Sequence, residues 1–228
     1  MKQRKKVCII LFGEKFVENN KNNIELNING NKSDLVNKYK LKNGNNEIKM
    51  IIKNKITNLE YMFYECSKLK DINELKYLNT KYYNNFSFMF YGCSLLSDIK
   101  GLENWNVSNA NNFKGMFGKC SSLSDIKALE KWNVSNVNNF WGMFCECSSI
   151  TNIKALEKWN VSNASNFQAM FCECSLLSDI KALEKWNVSN VNNFQGMFGK
   201  CSSITNINPL ENWNSSKGNN FSYMFYKC

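Results

Sequence analysis

The sequence predicts an α/β repeat solenoid: a parallel sheet of short strands, short helices opposite it, a 27-residue period and an N-terminal β-rich cap. Three observations carry this expectation. The dipeptide Met-Phe begins at Met62, Met89, Met116, Met143, Met170, Met197 and Met224, always 27 residues apart. A cysteine follows three residues after each of these phenylalanines, from Cys66 to Cys228. Tryptophan keeps the same interval at Trp105, Trp132, Trp159, Trp186 and Trp213. A fixed period of this length marks turns that cannot bury their apolar face alone and must stack to do so.

Residues 1–53 stand outside the repeat. Val7–Phe12, Ile24–Ile28 and Glu47–Lys53 read as strands, the last alternating Ile48, Met50 and Ile52, with turns at Gly30 and Gly44 beside asparagines. This region is expected to cover the open edge of the first turn. The basic start, Met1 to Lys6, precedes an apolar run of only six residues that Gly13 ends. That is too short for a secretory signal or a transmembrane helix.

Residues 54–228 carry the repeat. In one unit, Leu123, Ile126 and Leu129 read as an inward-facing strand, followed by a Trp-Asn-Val-Ser-Asn bend. Val137, Phe140, Met143, Phe144 and Cys147 then recur at spacings of three and four, which reads as one face of a helix capped by Asn138 or Asn139. Strand segments are expected to begin at Leu69, Leu96, Leu123, Ile150, Leu177 and Ile204. The expected core ladder includes Met116, Phe117, Cys120, Trp132, Phe140, Met143, Phe144, Cys147, Trp159, Met170, Phe171, Cys174 and Trp186. Pro209, the only proline, falls in the last expected strand, where a missing N–H would blunt a sheet edge and limit weak self-association through the ends.

The chain has no histidine. This removes Ser-His-Asp and Cys-His nucleophile systems and every histidine metal ligand, and points away from an enzyme. No cofactor is expected. The net charge of +10 is uneven: residues 1–60 hold 13 Lys and Arg against 6 Asp and Glu, and the rest 16 against 13. It is read as a solvated lysine-rich surface rather than a nucleic-acid footprint.

Charged residues also recur with the period. Asp98, Asp125 and Asp179 form one column, Lys100, Lys127, Lys154 and Lys181 the next, and Glu103 to Glu211 a third. Such a face serves solubility or offers a repeated docking surface. Trp141, the only tryptophan off the ladder, is a candidate binding anchor, with packing on the neighbouring turn as the alternative. The seven ladder cysteines read as buried, reduced thiols. Cys145 and Cys172 lie two residues before ladder cysteines and should face solvent, where a disulfide or a zinc site are the alternatives. The sequons at Asn106, Asn133, Asn160 and Asn187 copy one repeat position.

The phrase running from Trp132 through Asn-Val-Ser-Asn to Met143-Phe144 and Cys147 resembles the repeat of BspA-type leucine-rich-repeat surface proteins and of mycoplasma surface lipoproteins. The resemblance spans about residues 54–228 and implies a leucine-rich-repeat-like solenoid that binds proteins, host or cell-surface ligands among them. It carries over no catalytic residue. The expected function is therefore non-enzymatic binding, with an intracellular scaffold or, more remotely, a cysteine-based metal or redox module as alternatives. The missing export signal points inside the cell and the resemblance points to the surface, and both locations stay open.

Overall fold

The computed structural model describes residues 7–42 and 44–228; the basic run at Met1–Lys6 lies outside the described residues. Five strands and one helix come first: β1 (Val7–Ile10), α1 (Glu14–Asn20), β2 (Ile24–Ile28), β3 (Asn31–Asp34), β4 (Lys38–Leu41) and β5 (Ile48–Ile52). All pairing among them is antiparallel. β1 pairs with β4, and β2 lies between β3 and β5. Asn29 and Gly30, with φ of 55° and 85°, make the two-residue turn of the β2–β3 hairpin, the left-handed conformation that Asn-Gly supplies at least cost. The helix α1 and the strands β3 and β4 were not legible in the sequence, because their residues are largely polar and exposed.

This region meets the first turn of the repeat closely. Gly13 N–H donates to Met62 O at 3.0 Å, and the Phe12 and Phe63 rings stack with centroids 5.8 Å apart. A side chain at residue 13 would place its Cβ 2.1 Å from Tyr61 O, so only glycine permits this approach. One apolar core runs from Leu11 to Ile204 through both regions.

The repeat stacks in parallel register at the expected interval, and its local structure differs from the expected one. Where strands were expected to begin, at Leu69, Leu96, Leu123, Ile150, Leu177 and Ile204, the chain instead passes into short 3-10 turns. These are Asn73–Tyr77, Lys100–Leu102, Lys127–Leu129, Lys154–Leu156, Lys181–Leu183 and Asn208–Leu210. The apolar spacing of three at Leu123, Ile126 and Leu129 fits a helix of three residues per turn better than the two-residue period of a strand. Asp125 Oδ1 accepts the Lys127 N–H at 2.7 Å and starts that turn.

The expected helices are also absent, and the Met-Phe segment is a run of tight turns. Met116, Gly118 and Cys120 donate their N–H to the carbonyls three residues back, at Phe113, Gly115 and Phe117. Residues 115 and 119 have φ of 60° and 59°, which no α-helix contains. Successive three-residue turns reproduce the three-and-four spacing of a helix, which is why periodicity misled. The alternate residues Phe113, Gly115, Phe117 and Lys119 donate to Asn139, Trp141, Met143 and Cys145 of the next turn at 2.7–2.9 Å. Inter-turn pairing is continuous on the Met-Phe side, with parallel bridges at Asn58, Asn85, Asn112, Asn139, Asn166, Asn193 and Asn220, while among the described residues the expected strand segments keep only two isolated parallel bridges, Asp98 to Asp125 and Asn152 to Asp179. Asn139 does accept an N–H, that of Trp141 at 3.0 Å, as an Asx turn and not as a helix cap.

Inside, the ladder is continuous. Phe90, Phe117, Phe144, Phe171 and Phe198 stack ring on ring at 5.6–5.7 Å. Each tryptophan from Trp105 to Trp213 donates its indole N–H to a leucine carbonyl 30 residues earlier, Trp159 to Leu129 at 3.0 Å. The ladder thiols from Cys93 to Cys228 do the same toward a phenylalanine carbonyl, Cys147 to Phe117 at 3.0 Å.

Candidate functional site

The 3-10 turns place the charged columns. In the interior turns an isoleucine such as Ile126 is buried and the next residue, Lys127, is exposed, while the preceding Asp125 holds the Lys127 N–H. Asp98 and Asp179 hold Lys100 and Lys181 in the same way, and Asn152 holds Lys154. The Asp column is therefore partly structural: one carboxylate oxygen fixes the turn, and the group remains exposed. The lysine side chains of the column carry no such duty and stand in solvent. Lys131 reaches Glu103 at 3.1 Å and Lys158 reaches Glu130 at 3.5 Å across turns. Exposed pairs of this kind contribute about 0–1 kcal/mol each.

The structure brings these residues together as a furrow, which the sequence did not show. A depression of about 510 Å³ lies between the turns of Lys127 and Lys154, floored by Ile126 and Ala155. The next, of about 450 Å³, lies between Lys154 and Lys181, and a third, of about 470 Å³, between Lys181 and Pro209. Neighbouring depressions share bordering residues, Lys154 and Glu157, then Asp179, Lys181 and Glu184, so they form a row across the turns. Small side chains at Ala155 and Ala182 lie in the first two depressions.

Trp141 sits elsewhere, in the Met-Phe segment, and does not join this face. Its indole lies edge-on to Phe88 at 6.0 Å, with Lys114 Nζ 4.0 Å above the ring. Phe88 is two turns away, and the intervening Gly115 leaves the space: a Cβ there would lie 2.5 Å from the Phe88 ring. Of the two readings of Trp141, the half-buried ring fits packing. Pro209 is likewise not an edge blocker. It opens the last 3-10 turn, where Ala128 and Ala182 make no backbone hydrogen bond through their N–H, so proline removes nothing from the inter-turn ladder.

The core-ladder residues Met116, Phe117, Cys120, Trp132, Phe140, Met143, Phe144, Cys147, Trp159, Met170, Phe171, Cys174 and Trp186 are all buried. Burial pushes the Cys66, Cys120 and Cys201 thiols up to about 12, and Cys147 and Cys174 well above the ordinary range. Such thiols stay protonated and serve as donors. Among the described residues no three Cys, Asp or Glu side chains converge as a metal site would require.

A family model described as "Mycoplasma protein of unknown function, DUF285" matches residues 33–153 and 143–228. The chain belongs to the DUF285 family. No curated protein and no solved structure matches it. The DUF285 match covers the charged furrow and the whole repeat, and begins inside the N-terminal β region at residue 33. Among the described residues of this DUF285 chain, no helix is long and apolar enough to cross a membrane.

Proposed function

We propose that this DUF285 chain is a non-enzymatic binding module that holds a partner protein along the charged furrow. It acts as a leucine-rich-repeat-like solenoid does, in the manner of the BspA-type surface repeats its Trp-to-Cys phrase resembles. The observation that supports this reading is the row of depressions across the turns, with lysine and glutamate recurring at Lys127, Lys154 and Lys181 and at Glu130, Glu157 and Glu184, and aspartate alternating with asparagine. A ligand spanning several steps gains from each weak contact, because after the first the rest are intramolecular. Alternating charge suits a polypeptide carrying both signs better than a polyanion, which would meet Asp125, Glu130 and Asp179.

The test begins with cross-linking capture of proteins by the intact chain. The triple variant Lys127→Glu, Lys154→Glu, Lys181→Glu is then compared with the parent. Binding should fall at least tenfold, with the melting temperature and circular dichroism unchanged, because these side chains touch nothing that holds the fold. Equal binding by parent and variant would leave the furrow a solubilising surface.

A further inference from the structure

One column of the Met-Phe side reads Tyr64, Tyr91, Gly118, Cys145, Cys172, Gly199 and Tyr226, a residue from each turn at the same register. Side chains in this column face one another across turns: the rings of Tyr64 and Tyr91 stack with centroids 5.3 Å apart. Cys145 and Cys172 are therefore opposed on adjacent turns, at the same register of the paired segments. The backbone holds them rigidly. Cys145 and Cys172 donate their N–H to Gly142 O and Ala169 O, both at 3.1 Å, and Glu146 N–H donates to Cys172 O at 2.7 Å. Glycine stands on either side of the pair in the column; a Cβ at residue 199 would lie 3.7 Å from Cys172 Sγ. Both cysteines are half-buried, open to a small oxidant.

The ladder thiols differ in every respect. All but Cys228 are buried, and those from Cys93 onward give their S–H to a phenylalanine carbonyl 30 residues earlier. Opposed positions on adjacent paired segments lie about 4.8 Å apart, inside the Cα range of about 4.4–6.8 Å that a disulfide spans.

We propose that Cys145 and Cys172 form a reversible redox clamp between neighbouring turns, closed to a disulfide by peroxide and reopened by thiols. The neighbouring Cys145 thiol, with Lys200 nearby, lowers the Cys172 thiol from its ordinary range, while the Cys172 thiol and burial push Cys145 up. In this clamp Cys172 attacks as the thiolate and Cys145 resolves. Cys172 sulfur attacks one peroxide oxygen, the O–O bond breaks, and the departing hydroxide takes a proton to leave as water. The sulfenic acid at Cys172 is then attacked by Cys145 sulfur. The S–O bond breaks, the S–S bond forms, and the hydroxyl leaves with the Cys145 proton as a second water. Two thiols are oxidised by two electrons and one hydrogen peroxide is reduced to two waters. A small-molecule dithiol reverses the step by exchange.

The experiment treats the full chain with stoichiometric hydrogen peroxide in native buffer, then alkylates, digests and maps the peptides by mass spectrometry. The expected product is one intramolecular bridge, Cys145 to Cys172. It should raise the thermal midpoint and be lost, with that shift, on adding dithiothreitol. In Cys145→Ser, peroxide should leave Cys172 as a sulfenic acid trapped by dimedone, with no intramolecular bridge. Oxidation of Cys172 to sulfinic acid in the parent without a bridge would overturn the proposal. So would bridges shared among ladder cysteines, or two unmodified thiols at residues 145 and 172 while the exposed Cys8 and Cys228 react.

Discussion

On the Met-Phe side, each interior turn donates four backbone hydrogen bonds to the next, and the side chains between them are buried aromatics. On the charged side, a single backbone hydrogen bond, Ser178 to Thr151, joins neighbouring turns among the described residues, and the repeated side chains stand in solvent. Both sides keep the same period. The first holds it through backbone pairing and packing, so a change there propagates to the turns above and below. The second holds it through local caps, Asp125 or Asn152 within its own turn, so a change there stays in place. This is the combination a recognition surface needs: a rigid spine and a face whose side chains are free to vary.

The comparison breaks most sharply at the spine. Phe144→Ala should cost about 3–5 kcal/mol in denaturant unfolding, since it opens a gap in the middle of the ring stack. Lys154→Ala, on the other side of the same stack, should change stability by no more than about 0.5 kcal/mol. A similar loss for both would mean that the two sides are not mechanically distinct.

A smaller effect is expected at the tryptophan ladder. Trp159→Phe keeps the aromatic stack but leaves Leu129 O with the Trp132 N–H alone, at a cost of about 0.5–1.5 kcal/mol. An unchanged unfolding midpoint would assign the ladder to packing alone.

The left-handed positions sharpen the comparison further, in both directions. Gly142 has φ of 61° and Ala169, at the same register one turn on, 52°. A Cβ at Gly142 would meet only Cys145 Cβ at 3.7 Å, so Gly142→Ala tests backbone strain alone. It should cost about 1 kcal/mol or more, while Ala169→Gly should stabilise by about 0.5–1 kcal/mol. Thermal unfolding of the two variants side by side checks the sign of each.

The smallest effect lies on the charged side. Asp125→Asn should stay within about 0.5 kcal/mol of the parent, because Asn152 and Asn206 hold the same N–H in their own turns. Asp125→Ala, which removes the acceptor, should cost about 0.5–1.5 kcal/mol. Chemical denaturation of the pair would show whether the acceptor or the charge matters.

Much of this was legible in the chain. The period, the identity of the buried ladder, the strand at Ile24–Ile28 and the buried state of the ladder cysteines follow from residue type and spacing. The local structure was not. Apolar residues three and four apart suit a helix and a run of tight turns equally, and only the left-handed backbone at residues 115, 119, 142 and 146 separates them. Two of these four residues, Lys119 and Glu146, are types that do not advertise a positive φ. The furrow was half legible: its charged columns could be read, its row of depressions and the alanines in them could not.

The sequence by itself determined that turns of 27 residues stack in register, because a motif that recurs seven times without insertion admits no other way to bury its aromatics. Only the tertiary structure decided which side of each turn would carry the inter-turn hydrogen bonds, where Trp141 would pack, and that Cys145 and Cys172 would face each other. These depend on the distance and direction between residues of different turns, which no spacing along a single chain encodes.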